Sequence, residues 1–120
     1  MQQIAGIQKM SKHSWRFPVD DKGYHDFDKI DPLDTNADVI VDLPDGRSFA
    51  VTFFTVRNLR TLMQKHREAG EAPYGHYIFG SNMIVVESFT RQAADAAVTE
   101  LVRSGDIERI GIAVLTNNES

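Results

Sequence analysis

Cysteine is missing from all 120 residues. That excludes a disulfide framework, a thiolate metal site and a cysteine nucleophile. No apolar stretch approaches the roughly 20 residues of a membrane span. Residues 1–10 lack the basic start and long apolar run of a signal peptide, so a cytoplasmic chain without membrane contact is expected. The motifs that announce catalysis are missing as well: no phosphate-binding glycine loop, dinucleotide fingerprint, nucleophile elbow or paired-histidine zinc helix. Asp26-Phe27-Asp28 begins like a calcium-hand loop, but the glycine and terminal glutamate that such a loop needs are not there. No catalytic residue, metal ligand or cofactor is assigned.

What the chain does have is a central stretch, residues 38–70, that reads as a β-hairpin running into an amphipathic helix. Val39, Val41 and Leu43 share one face of a strand. Pro44-Asp45-Gly46 supplies turn chemistry: proline presets φ, and Asp-Gly favours the positive φ of a tight hairpin. Arg47 to Thr55 follows as a β-branched and aromatic strand, with Phe49, Val51 and Phe53 on one face and Ala50, Thr52 and Phe54 on the other. Aromatics on both faces point to a central strand covered on both sides, or to one face covered by a partner subunit. The period then changes to 3.6, with Val56, Leu59, Leu62, Met63 and His66 on one stripe. Thr55 is placed to cap that helix and Gly70 to stop it.

The rest of the chain is built in the same way. Ser14 to Val19 reads as a strand, and Pro18, which has no amide hydrogen, places it at a sheet edge. Trp15, the single tryptophan, is expected to be a core or interface anchor. Residues 20–37 form a long irregular segment in which Tyr24, Phe27, Ile30 and Leu33 recur every third residue, the spacing of a helical turn that would pin the loop to the core. Residues 76–80 and 83–87 read as two short strands, the second with a continuous apolar run and so expected to be buried on both faces. Thr90 caps a second helix over 91–104, Gly105 ends it, and 107–115 reads as a last strand.

The expected fold is α+β, one domain over 1–120: a largely antiparallel sheet of five to six strands with two helices packed on one face, in the order β-(loop)-ββα-ββα-β. Residues 1–12 are expected to fray or form a short helical turn, and 117–120 to be a polar tail.

Charge is unevenly spread. The net charge is −4, yet residues 20–45 hold nine aspartates and two lysines, a local charge of −7. Such a segment repels nucleic acid and attracts a cationic protein, unless it is simply a solvated acidic loop. The binding residues expected on this basis are Asp20, Asp21, Asp26, Asp28, Asp31 and Asp34, with Tyr24 and Phe27 as aromatic anchors. His25, His76 and Tyr77 lie in irregular segments and form an alternative His/Tyr cleft for acid–base chemistry or ligand binding, if the fold brings them together. His66, on the apolar stripe of the first helix, is expected to be a core or boundary residue.

The run Leu43-Pro44-Asp45-Gly46-Arg47, with 51–55, 75–79 and 83–87, resembles small bacterial single-domain proteins known mainly as proteins of unknown function. Some of these are similar to immunity proteins of toxin systems. The resemblance spans about residues 36–112, carries no catalytic residues and does not cover the irregular 20–37 segment. It implies a non-catalytic protein-binding module that neutralises a cationic toxin. A small enzyme or ligand-binding domain using the His/Tyr cleft, and a homodimer joined through the aromatic face of the hairpin, stay open beside it.

Overall fold

A computed structural model describes residues 12–18, 30–70 and 77–115. Among these it is α+β, with one mixed sheet of five strands and three helices, two of them long. The strands are β1 (Ser14–Arg16), β2 (Asn36–Asp42), β3 (Ser48–Thr55), β4 (Met83–Val86) and β5 (Ile112–Ala113). The helices are α1 (Val56–Glu68), α2 (Arg91–Ser104) and α3 (Asp106–Ile110).

The hairpin of β2 and β3 is the centre of the sheet. Its three-residue loop, Pro44-Asp45-Gly46, is closed by Leu43 N–H donating to Arg47 O (2.8 Å) and Gly46 N–H to Leu43 O (3.0 Å). Gly46 has φ of 95°, which a residue with a Cβ rarely adopts. This turn sets the register Val39↔Val51 and Val41↔Phe49. β1 pairs antiparallel with β2 and forms one edge, as Pro18 requires. The far side of β3 is shared: β4 runs parallel to its second half and β5 antiparallel to its start.

One face of the sheet carries the core. Val39, Val41, Val51 and Phe53 are fully buried there, together with Phe89, Ala94, Val98 and Ile107. Burying each such side chain contributes about 1.5–3 kcal/mol relative to leaving it exposed. Phe89 is the hub: its ring lies 5.3 Å from Phe53 and 6.1 Å from Phe17, and its N–H donates to Pro32 O (2.7 Å). Trp15 is an anchor at the rim. It packs against the core, meets Phe17 edge-on, donates Nε1–H to Asp95 on α2 (2.6 Å) and lies under the Arg91 guanidinium.

Both long helices begin on the expected threonines. Thr55 Oγ accepts from Asn58 N–H and Thr90 Oγ from Ala93 N–H, each at 3.1 Å. Gly70 and Gly105 follow the helix ends with φ of 74° and 83°. The helices differ in what they bury. The core takes in Ala94 and Val98 of α2 and Ile107 of α3, but no apolar residue of α1; the side chain that α1 buries is Asn58. The expected packing of both helices on one core is therefore not found in those contacts.

Three expected strands come out differently. Residues 77–80 are not a strand, and His76 lies outside the described residues. The apolar run 83–86 is a strand but is not buried on both faces, because Val85 is 51% exposed. The strand expected over 107–115 is helix α3 as far as Ile110 and a strand, β5, only at Ile112–Ala113. Gly105 in the left-handed region turns the chain, Glu108 N–H and Gly111 N–H then bond back to Gly105 O and Ile107 O, and Ile107 and Ile110 meet the core three residues apart. Gly111 lets the chain leave: a Cβ there would stand 2.6 Å from Ile107 O and 2.8 Å from Phe49 Cβ. Of the 20–37 segment, Ile30 packs against the core while Leu33 is exposed; Tyr24 and Phe27 lie outside the described residues, as do 1–11 and 116–120.

Candidate functional site

Among the residues expected to bind a partner, Asp20, Asp21, Tyr24, Asp26, Phe27 and Asp28 lie outside the described residues, as do His25 and His76 of the alternative cleft. Tyr77 is described and half exposed. Asp31 and Asp34 can be placed, and both are engaged by their own chain.

Asp31 closes a local turn: its Oδ1 accepts Leu33 N–H (3.0 Å) and its carbonyl accepts Asp34 N–H (3.1 Å). Asp34 is held by α1. Its Oδ1 accepts from Asn58 Nδ2 (2.9 Å) and its Oδ2 from Thr61 Oγ1 (3.0 Å). The Asn58 hydrogen bond is the main cause that holds the Asp34 carboxyl below its ordinary value; Thr61 and the charges of Arg57 and Lys65 add to it against partial desolvation. Asn58 also accepts from Asn36 Nδ2 (2.8 Å). The fully buried Thr55 Oγ accepts from Thr35 N–H (3.1 Å) as well as from Asn58, and Thr55 N–H donates to Thr35 O (3.0 Å). This network ties the 31–36 loop to the first turn of α1. Its polar groups satisfy one another, so it positions structure rather than offering a reactive group.

The later aspartates are tied in too. Asp38 accepts from Thr52 Oγ1 (2.8 Å). Asp42 accepts from Arg16 Nε (2.8 Å) and Ser48 Oγ (2.7 Å); partial burial works to raise its carboxyl, but these bonds outweigh it and the group lies below its ordinary value. Asp45 is paired with Arg47, whose guanidinium spans on to Glu108 of α3 (2.8 Å) and holds both carboxyls low. Every described aspartate of the acidic segment thus accepts a hydrogen bond from within the fold, and two of them face arginines. The Asp45–Arg47 pair is two residues apart across a turn and could be seen in the sequence. The Asp42–Arg16 pair depends on strand register and could not.

The sequence named Ala50, Thr52 and Phe54 as one face of β3, but not the residues of neighbouring strands that share that face, opposite the core. Register places three rows across it: Ile40, Ala50 and Ile112; Asp38, Thr52 and Met83; Asn36, Phe54 and Val85. Val85 and Ile112 are each about half exposed, at 51% and 53%, and Asp38 is exposed in the row between them. Phe79 and Leu115, in the segments flanking β4 and β5, are 83% and 78% exposed. The alternation that gives a strand two faces was legible, but which strands lie beside β3 was not.

Among the described residues no group of three or more His, Asp or Glu is placed to hold a metal ion, and no helix is long and apolar enough to cross a membrane. Compared with known proteins, the chain matches no family model, no curated protein and no solved structure.

Proposed function

We propose that the chain is a non-catalytic protein-binding module for a cationic protein, acting in the cytoplasm in the manner of an immunity protein that neutralises a toxin. The observation that carries this is the outer face of the sheet. An exposed carboxylate, Asp38, stands between rows that present Ile112 and Val85, so one surface offers apolar contact and negative charge together. Apolar contacts at the centre of an interface supply most of its affinity, while charge speeds encounter and selects the partner. The acidic segment 20–45 supplies the long-range part, less the charge that Arg16 and Arg47 neutralise at Asp42 and Asp45.

The test is affinity chromatography of a native bacterial extract over the immobilised chain. A basic protein should be retained at low salt, released as salt rises, and lost when the column carries Val85→Glu or Asp38→Lys. If the native column retains no basic protein, or the two variants retain it equally well, the outer face is not the binding surface.

A further inference from the structure

Helix α1 is rich in positive charge: it carries Arg57, Arg60, Lys65 and Arg67 against one acidic residue of its own, Glu68, with Asp34 of the preceding loop beside Arg57 and Lys65. Three of these cations share an arc. Arg57, Arg60, Gln64 and Arg67 follow one another at three-, four- and three-residue steps, which keeps them within about 80° of the helix surface and spreads them over about 15 Å. All four are exposed. No apolar side chain lies between them on that arc. Leu59 and Leu62 are on the other side of the helix, Met63 flanks the arc beyond Arg67, and all three are half buried.

We infer that this arc is a contact surface for the phosphodiester backbone of nucleic acid. Three features choose this partner over others. Arginine, with its planar fork, predominates over lysine, and that fork matches phosphate oxygens two at a time. The arc is polar throughout, whereas a protein interface needs an apolar or aromatic centre. A helix lying on a membrane sinks its apolar stripe into lipid, and here that stripe is half buried already. Ion pairs with scattered carboxylates are individually weak at an exposed surface, while a polyanion gains from releasing its condensed counterions. Gln64, which donates to Glu68 (3.1 Å), keeps the one acidic group of the helix occupied beside the arc. The inference does not rest on the protein-binding proposal. The acidic segment, which repels nucleic acid, limits the expected affinity to weak, low-salt binding.

The experiment is fluorescence anisotropy of a labelled 20-base-pair DNA duplex titrated with the full chain at several salt concentrations. The expected Kd at low salt is about 10–100 μM, with log K falling against log salt at a slope of roughly −2 to −3, the value for about three phosphates. The double variant Arg57→Gln/Arg60→Gln should bind at least tenfold more weakly while keeping the native circular dichroism spectrum; should it unfold, the single variant Arg60→Gln, expected to lose severalfold, takes its place. Three results would overturn the inference: no anisotropy change at low salt, a folded variant that binds as well as the native chain, or binding to phosphatidylserine vesicles in preference to the duplex.

Discussion

The two long helices of this chain are similar in length and are both capped by a threonine, yet they are held in different ways. α2 is held by burial: Ala94 and Val98 are fully inside the core, Ala97, Leu101 and Val102 pack against it, and Asp95 takes the indole hydrogen of Trp15. Among the described contacts α1 is held mainly by a polar tether at its first turns, where Asn58 and Thr61 grip Asp34 and Thr55 receives Thr35, and its apolar residues Leu59, Leu62 and Met63 are only half buried. Apolar burial is non-directional and adds up over area. A polar tether is local and depends on geometry and, through Asp34, on pH. α2 is therefore expected to open only with the whole domain, and α1 to open by itself at a lower cost.

The sharpest way to break this difference is Phe89→Ala. It removes the ring that joins Phe17 and Phe53, leaving the backbone bond to Pro32 O in place, and should cost about 3–5 kcal/mol in urea denaturation. Protection of α2 amides from hydrogen exchange should fall by the same amount, while α1 amides change less. Gly111→Ala attacks the core side from the backbone. Its new methyl would meet Ile107 O and Phe49 Cβ, and a loss of about 1–3 kcal/mol is expected from the same measurement.

The caps give a smaller, paired test. Thr90→Ala should cost about 1 kcal/mol, the ordinary value of an N-cap. Thr55→Ala should cost more, about 2 kcal/mol, because it also strands the Thr35 amide, and the lost protection should be concentrated in α1. Equal losses from the two variants would mean that the second hydrogen bond of Thr55 contributes nothing.

The gentlest probe is pH. The carboxyls of Asp34, Asp42 and Asp45 lie below their ordinary value in the folded chain. A depressed folded value stabilises the fold fully above the unfolded pKa of about 4, and that contribution disappears as pH falls through the lower folded value. Acid should thus loosen the Asp34 tether, and α1 amides should lose protection before those of α2. In Asp34→Asn this early loosening of α1 should be absent. Exchange rates across α1 and α2 between pH 5 and 2.5 would show the order.

Much of the frame was legible locally. The Asp-Gly turn, both threonine caps and the glycines at 70 and 105 could be read because each acts through bonds spanning a few residues. Residues 107–110 could not. Ile-Glu-Arg-Ile fits a strand by composition and a helix by spacing, and the choice was made by the left-handed Gly105 and by the room for Ile107 in the core. The acidic segment misled for a different reason. Its count of aspartates was plain, but whether a carboxylate faces solvent or an arginine depends on which strand lies beside it, as Arg16 and Asp42 illustrate.

By itself the sequence determined where the elements begin and end around the central hairpin, and that the chain carries an acidic segment followed by a basic helix, because turns, caps and charge are properties of neighbouring residues. Tertiary structure alone decided that β4 lies parallel beside β3, that α2 and α3 but not α1 fill the core, and that Asp38 faces Thr52 on the outer face in a row between those of Ile112 and Val85. Those outcomes are competitions between distant segments for the same strand edge and the same buried space, and no local pattern records who wins.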